Sequence, residues 1–381
     1  MSTTEVQDVS PRPEAAPLPG KGFHLGHKAD FVLRILVTLG ALTPLVLLAL
    51  LILVLTYMAW PAIIKFNWHF LVSTHWNPVP GFDHYGVLQF AYGTLASSFI
   101  ALLLAVPISI GTAVFIVRIA PRWLGGIVAF LVELLAAIPS IAYGLWGALV
   151  MVPWLQDYGE PALKHLLKHI KLIPLGHSEF SRRMIYFPAN LVRGGTYGSD
   201  MLAGGLILAI MITPIITAIT RDVLLAVPPE LEEGSYALGA TWWQATRLVL
   251  HFARSGILGA VILGMARAIG ETMAVIMVIG NTDQIKGSLF AGAQTMAGLI
   301  ANEFMEASHP IYRQSVVYVA LVLVFLSLVL NGAARWLVQQ TTNQKPKSKR
   351  KRVPRAQPPV RAAIGATSPD EVNRAATEAS R

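Results

Sequence analysis

The chain has 381 residues, of which 54% are hydrophobic and only 13% charged, with a mean hydropathy of +0.56. A soluble domain carries about 25% charged residues, so this sequence cannot dress the surface of one or two soluble domains and reads as an integral membrane protein. Of the charged residues, ten basic and three acidic ones fall in 341–381, so the net charge of +9 belongs largely to a tail and not to a nucleic-acid-binding surface. The absence of cysteine excludes disulfides, thiolate metal sites and cysteine nucleophiles.

Residues 1–30 are rich in Pro, Ala and Gly and are expected to be a disordered tail, since they bury too little apolar area to offset their ordering entropy. A spanning helix needs roughly 20 mostly apolar residues. The first span is expected within 35–64, a stretch without Asp, Glu, Lys or Arg. It is too long for the apolar core of a signal peptide and lacks a small-residue cleavage site, so it reads as an uncleaved helix. The second is expected at about 93–117, with Pro107 as a kink. The third is expected at about 124–152, interrupted by Glu133 and Pro139. The fourth covers 201–220, the fifth about 255–280 with Arg267 and Glu271 near its middle, and the sixth 314–334. Residues 339–381, with the run KPKSKRKRVPR, read as a second disordered tail attracted to anionic lipid. Period-2 alternation over ten-residue segments is missing, which argues against an outer-membrane barrel. The predicted architecture is all-α and polytopic, with six crossings and a membrane domain over 31–338.

Basic residues near span ends set orientation. With the N-terminus inside, Arg118 and Arg122, then Arg221, Arg247 and Arg254, then the basic tail all lie in the cytoplasm. The connection at 153–200 dissents, with Lys164, Lys168, Lys171, Arg182, Arg183 and Arg193. Its length makes those charges count for less. Both termini are expected to be cytoplasmic.

The external connection carries His165 and His169 at helical spacing. No third ligand accompanies them, and an amphipathic helix (Leu163, Leu166, Leu167, Ile170) explains the pattern, so no metal or other cofactor is expected. The run 194–200 resembles a phosphate-cradling loop in composition only; a turn into the fourth span with Ser199 or Asp200 as N-cap explains it better. There is no G-x-x-x-x-G-K-[ST] and no G-x-S-x-G, so any ATP-driven engine must be another polypeptide.

The loop at 228–252 carries the densest signal. Pro228 and Pro229 stop the fourth helix, and Glu230, Glu232 and Glu233 suit the positive end of a new short helix. Gly239 permits a tight or left-handed turn before a second short helix from about Thr241. With Trp242 and Trp243 beside it, such a hairpin either docks in a groove of a soluble protein or lies in the membrane interface.

The segment EGSYALGAT resembles the EAA signature of ABC-importer permeases at Glu233, Gly234, Ser235 and Gly239. Its usual Leu-Pro ending is replaced by Leu250-His-Phe. Three further runs, Glu133-Leu-Leu-Ala-Ala-Ile-Pro-Ser-Ile-Ala-Tyr-Gly-Leu-Trp-Gly, Ala266-Arg-Ala-Ile-Gly-Glu-Thr-Met-Ala-Val and Ile279-Gly-Asn-Thr, are similar to the phosphate-transporter permeases of the PstC type, as is Tyr92-Gly-Thr-Leu-Ala-Ser-Ser. The likeness covers about 31–338. It implies the type I ABC-importer permease fold in a bacterial cytoplasmic membrane. It also implies a PstA-type second permease, PstB-type ATP-binding subunits coupled through the EAA loop, and a PstS-type extracytoplasmic phosphate-binding protein.

Buried charge points to the substrate pathway. An unpaired Arg at mid-bilayer costs about 2.5–3.5 kcal/mol on insertion scales, and Arg267 and Glu271 at i, i+4 on one helix would neutralise each other. Either they form a structural pair, or Arg267 offers its fork to phosphate while Glu271 holds the guanidinium. The resemblance implicates the matching positions in transport. Glu133, read as a further buried acid, either caps the break at Pro139 or bonds across the dimer. Another oxyanion such as sulfate is the alternative substrate, and a membrane-embedded enzyme, for which Glu133, Arg267, Glu271 and the external His residues would have to converge, is the alternative of another class. No nucleophile–base pair supports that enzyme.

Overall fold

The computed structural model describes residues 27–169 and 194–342. The two tails and the charges at 170–193 therefore lie outside the described residues, apart from a few tail residues that begin α1 and end α12. Among the described residues there is no β-strand, only isolated bridges at Asn77–His84 and Gly280–Ala293. The elements in order are α1 (His27–Phe66), α2 (His69–Val72), α3 (Leu88–Val114), α4 (Arg122–Ala136), α5 (Ser140–Trp146), α6 (Glu160–His169), α7 (Met201–Leu225), α8 (Pro229–Ala237), α9 (Trp242–Gly270), α10 (Met273–Ile276), α11 (Met296–Glu303) and α12 (Pro310–Thr342). A π turn at Phe115–Ile119 prolongs α3, and π turns at Gly147–Met151 and Leu155–Gly159 link α5 to α6.

Among the described residues five helices are long and apolar enough to cross a membrane, and the pair 122–136 and 140–166, bent by 92°, makes a sixth crossing if it is one span. The all-α, six-crossing expectation therefore holds, but two spans differ from the sequence reading. The third is broken, not merely interrupted. Pro139 lacks an amide hydrogen and drives the residue before it out of the helical region, so α4 ends at Ala136. The hydroxyl of Tyr143, not Glu133, donates to the freed carbonyl of Leu135 at 2.8 Å.

The fifth span is displaced toward the N-terminus. Thr241 and Gln244 form a reciprocal capping box, and a single helix of 29 residues runs from there. The second short helix expected at 241 is thus the first turns of the span itself. At its other end α9 stops at Gly270, and Glu271 is extended with ψ 131°.

The bundle is organised around α7, for which 67% of the most apolar window is buried, against none for α1. Small residues permit that packing: a Cβ on Gly264 of α9 would lie 2.7 Å from the Ile216 side chain of α7. At one end, Ala113, Leu224, Val249, Ala253 and Ile257 join α3, α7 and α9. At the other end, Phe70, Tyr85, Phe90, Met296 and Tyr312 join the start of α3 to α11 and α12. These clusters mark the α8 end and the opposite end of the bundle.

Candidate functional site

Two places gather the residues that the sequence singled out. The first is the hairpin at the α8 end. Pro228 is the N-cap of α8 and Pro229 its first residue, so the fourth helix stops where the prolines require. Glu230 and Glu232 occupy the first turn, while Glu233 falls one position beyond it. Gly239 adopts φ +82°, and its amide donates to Tyr236 O at 2.9 Å, closing the helix with the left-handed residue its position calls for. Gly234 has open space around a notional Cβ. Glu233, Gly234 and Gly239 are exposed, Ser235 is half-buried, and Leu238 is 91% exposed next to the exposed Trp242 and Trp243. Ser235 Oγ donates to Glu232 O at 2.7 Å. The hairpin therefore presents a small-residue and aromatic surface on a rigidly capped frame.

One anchor of that frame was missed in the sequence. Arg118, in the π turn after α3, donates through Nη1 to Glu232 Oε2. The EAA resemblance draws attention to the next residue, Glu233. Only the fold brings residue 118 beneath residue 232.

The second place is the break in the fifth span. Arg267 and Glu271 do not share a helical face, because the helix ends between them, and no ion pair among the described residues joins them. The expected i, i+4 pair is corrected on that ground. Glu271 is 8% exposed, and its Oε1 accepts from the amide of Ala274 at 3.5 Å, opening α10. Arg267 is exposed on this chain. Gly270 lies in a cleft with Leu48 and Leu51 of α1 and with Leu323 and Leu328 of α12, which sit near the middles of their spans. The break is therefore at mid-depth. Beyond it, α10 packs on α5, where a Cβ on Gly144 would lie 2.9 Å from Ala274 Cα. Gly144 is thus where this short helix comes closest to α5.

Glu133 is not a buried acid. Its side chain is 56% exposed and meets Arg221 Nη1 at 2.9 Å, near the α8 end of α7. The structure thus brings Arg267 and Glu271 to one break and sets Glu133 apart from them.

At the opposite end, Asp200 is the N-cap of α7, accepting from Ala203 N at 2.9 Å, as the sequence predicts. It is fully buried beside Glu160, and burial together with that neighbouring charge pushes its pKa up to about 7. Glu303, the last residue of α11, accepts from Trp76 Nε1 at 2.7 Å and from Tyr312 OH at 2.9 Å, tying the loop after α2 to α12. Glu160 and Glu303, unlike Asp200, carried no signal in the sequence. No group of three or more metal-ligating side chains occurs among the described residues.

Comparison with known proteins supplies the family. Residues 105–343 match the family model described as the binding-protein-dependent transport system inner membrane component. The chain is 41% identical to the phosphate transport system permease protein PstC of Mesorhizobium japonicum over 74% of this chain and 81% of that protein. It is 39% identical to PstC of Xylella fastidiosa strain 9a5c over 86% of this chain and 95% of that protein. A solved bacterial alginate ABC transporter, in complex with an alginate-bound periplasmic protein, shares the fold at a TM-score of 0.54 and 15% identity, over 83% of this chain and 96% of that one. The chain belongs to the binding-protein-dependent transport permeases, within the group that contains the PstC proteins, and is a multi-pass membrane protein.

Proposed function

We propose that this permease forms one half of the transmembrane pathway of a phosphate importer, with Arg267 and Glu271 at the pathway's narrow middle. A PstA-type subunit supplies the other half, PstB-type subunits hydrolyse ATP against the α8 hairpin, and a PstS-type protein delivers phosphate at the opposite end. The complex sits in the bacterial cytoplasmic membrane, with both termini and α8 in the cytoplasm. Residues 31–338 form the transport domain and the two tails stand outside it. These assignments draw on the PstC relatives.

One observation carries the pathway assignment: the fifth span is interrupted beside an exposed arginine at mid-depth. Irregular backbone at that depth is tolerated only where it is buried in protein or lines water, and an Arg facing lipid there costs about 2.5–3.5 kcal/mol. The face of α9 that bears Arg267 therefore belongs against a second subunit and an aqueous path. Its planar fork suits a tetrahedral oxyanion. Glu271, held as a cap, places negative charge close by and keeps the empty path from becoming a deep anion trap. Glu133, paired with Arg221, is a bracket outside this path.

Uptake of labelled phosphate by phosphate-starved cells whose only copy is this gene tests the reading. Saturable uptake that a tenfold excess of sulfate leaves intact is expected, tenfold being about 1.4 kcal/mol of discrimination. Uptake abolished by sulfate would shift the substrate to another oxyanion.

A further inference from the structure

The side chain of Arg118 is 10% exposed, and its Nη1 donates to Glu232 of α8. Its Nε and Nη2 are buried without partners, so Glu232 is the group that compensates this charge. Just above the pair, Val114 and Val117 of the same segment pack on the apolar cluster that joins α3, α7 and α9. Residue 118 lies in a π turn, a feature concentrated at functional sites.

The other end of α3 is fixed just as firmly. Thr94 Oγ1 accepts from Met296 N at 3.0 Å, and Tyr92 OH donates to Lys286 O at 3.2 Å. Gly93 lies so close to Gln294 O that a Cβ would not fit. The segment 286–296 is in turn bonded to the residues just after α10, through Ala293 N to Ile279 O at 3.0 Å. The 27-residue helix carries Pro107 in its interior but is continuous from Leu88 to Val114, about 40 Å long. The helix thus touches the hairpin at one end and, at the other, the segment that closes the outer side of the break.

We propose that Arg118 is a positioning residue that clamps α3 to α8 through Glu232. Movement of the hairpin is thereby delivered by α3 to residues 286–296 at the outer mouth. The role rests on the transport reading above and adds a route by which the two ends of the pathway communicate.

The experiment uses the complete transporter in lipid nanodiscs, carrying Arg118→Glu, Glu232→Arg or both. The first readout is the ratio of ATP hydrolysis with and without phosphate-loaded binding protein. The second is amide hydrogen exchange in peptides covering 286–296, with and without ATP bound to a hydrolysis-deficient ATPase. Each single variant is expected to retain its ATPase, to lower the stimulation ratio about fivefold or more, and to lose the exchange response. The swapped pair restores both. An unchanged ratio and exchange response in Arg118→Glu overturn the proposal. Loss of the ATPase from the single variants, mended by the swap, also overturns it, because the pair would then be a brace for docking. Exchange does not depend on the substrate's identity. A wild-type complex indifferent to phosphate counts against the phosphate reading, while the exchange result still decides the lever.

Discussion

Arg221 reaches across from α7 to place its Nη1 2.9 Å from Glu133 of α4, while its Nη2 lies 3.0 Å from Asp222. One guanidinium thus holds two carboxylates, and the loss of either leaves it paired. Since Glu133 is 56% exposed, its pair with Arg221 is worth no more than about 1 kcal/mol. Glu133→Gln should lower the melting temperature of the purified complex by a few degrees at most and leave uptake within about twofold of wild type. A tenfold loss of uptake in a normally assembled complex would return Glu133 to the pathway.

The hairpin separates folding from docking at neighbouring glycines. Gly239, at φ +82°, resists any side chain on conformational grounds, whereas Gly234 is exposed with empty space around it. Gly234→Leu should therefore leave the permease in the membrane at wild-type level while reducing co-purification of the ATPase about tenfold, the cost of one misfitted group in a packed interface. Glu233→Lys, equally exposed, should act in the same direction. Normal ATPase recovery from both variants would show that the exposed face of α8 is not the docking surface.

Much of this architecture was legible because membrane spans are read from composition alone. The prolines and Gly239 marked the hairpin because each restricts or frees a backbone angle in a way that sequence reveals. The break after Gly270 was not legible. Gly270-Glu-Thr lies inside an apolar run, and hydropathy cannot distinguish a continuous helix from two pieces joined by an extended residue. The same blindness made Arg267 and Glu271 look like helical neighbours. Glu133 was misread for a related reason, because its partner Arg221 stands 88 positions away and only the packing of α4 on α7 unites them. Arg118 and Glu232, 114 positions apart, are the same case.

Asp200 gives the opposite end a pH dependence. Burial beside Glu160 raises its pKa to about 7, so the folded state holds this proton more tightly than the unfolded chain does. The stabilisation is complete below the ordinary carboxylate value of 3.8 and is lost as pH rises toward about 7. Asp200→Asn keeps an acceptor for Ala203 N and carries no proton to lose. Its thermal unfolding should be flatter than wild type between those limits, with the gain over wild type appearing at pH 8. Parallel pH profiles for the two proteins would refute the assignment.

The break in the fifth span changes what the charges at its edges should do when removed. Had Arg267 and Glu271 been a buried pair, deleting one would leave the other uncompensated, and deleting both would restore function. They are separated by the end of α9, and Glu271 instead caps Ala274 N. Glu271→Gln retains an amide oxygen for that cap, so its complex should assemble normally. Arg267→Gln should lower phosphate uptake by about tenfold to a hundredfold, the weight of a lost charge-assisted hydrogen bond. Arg267→Lys should also be impaired, since an ammonium lacks the bidentate fork. The double variant Arg267→Gln with Glu271→Gln should then transport no better than Arg267→Gln alone. Assembly is scored separately, by recovery of the complex with its partner permease. Uptake near the wild-type rate in the double neutral variant would mean that the arginine never meets the substrate and serves the structure alone.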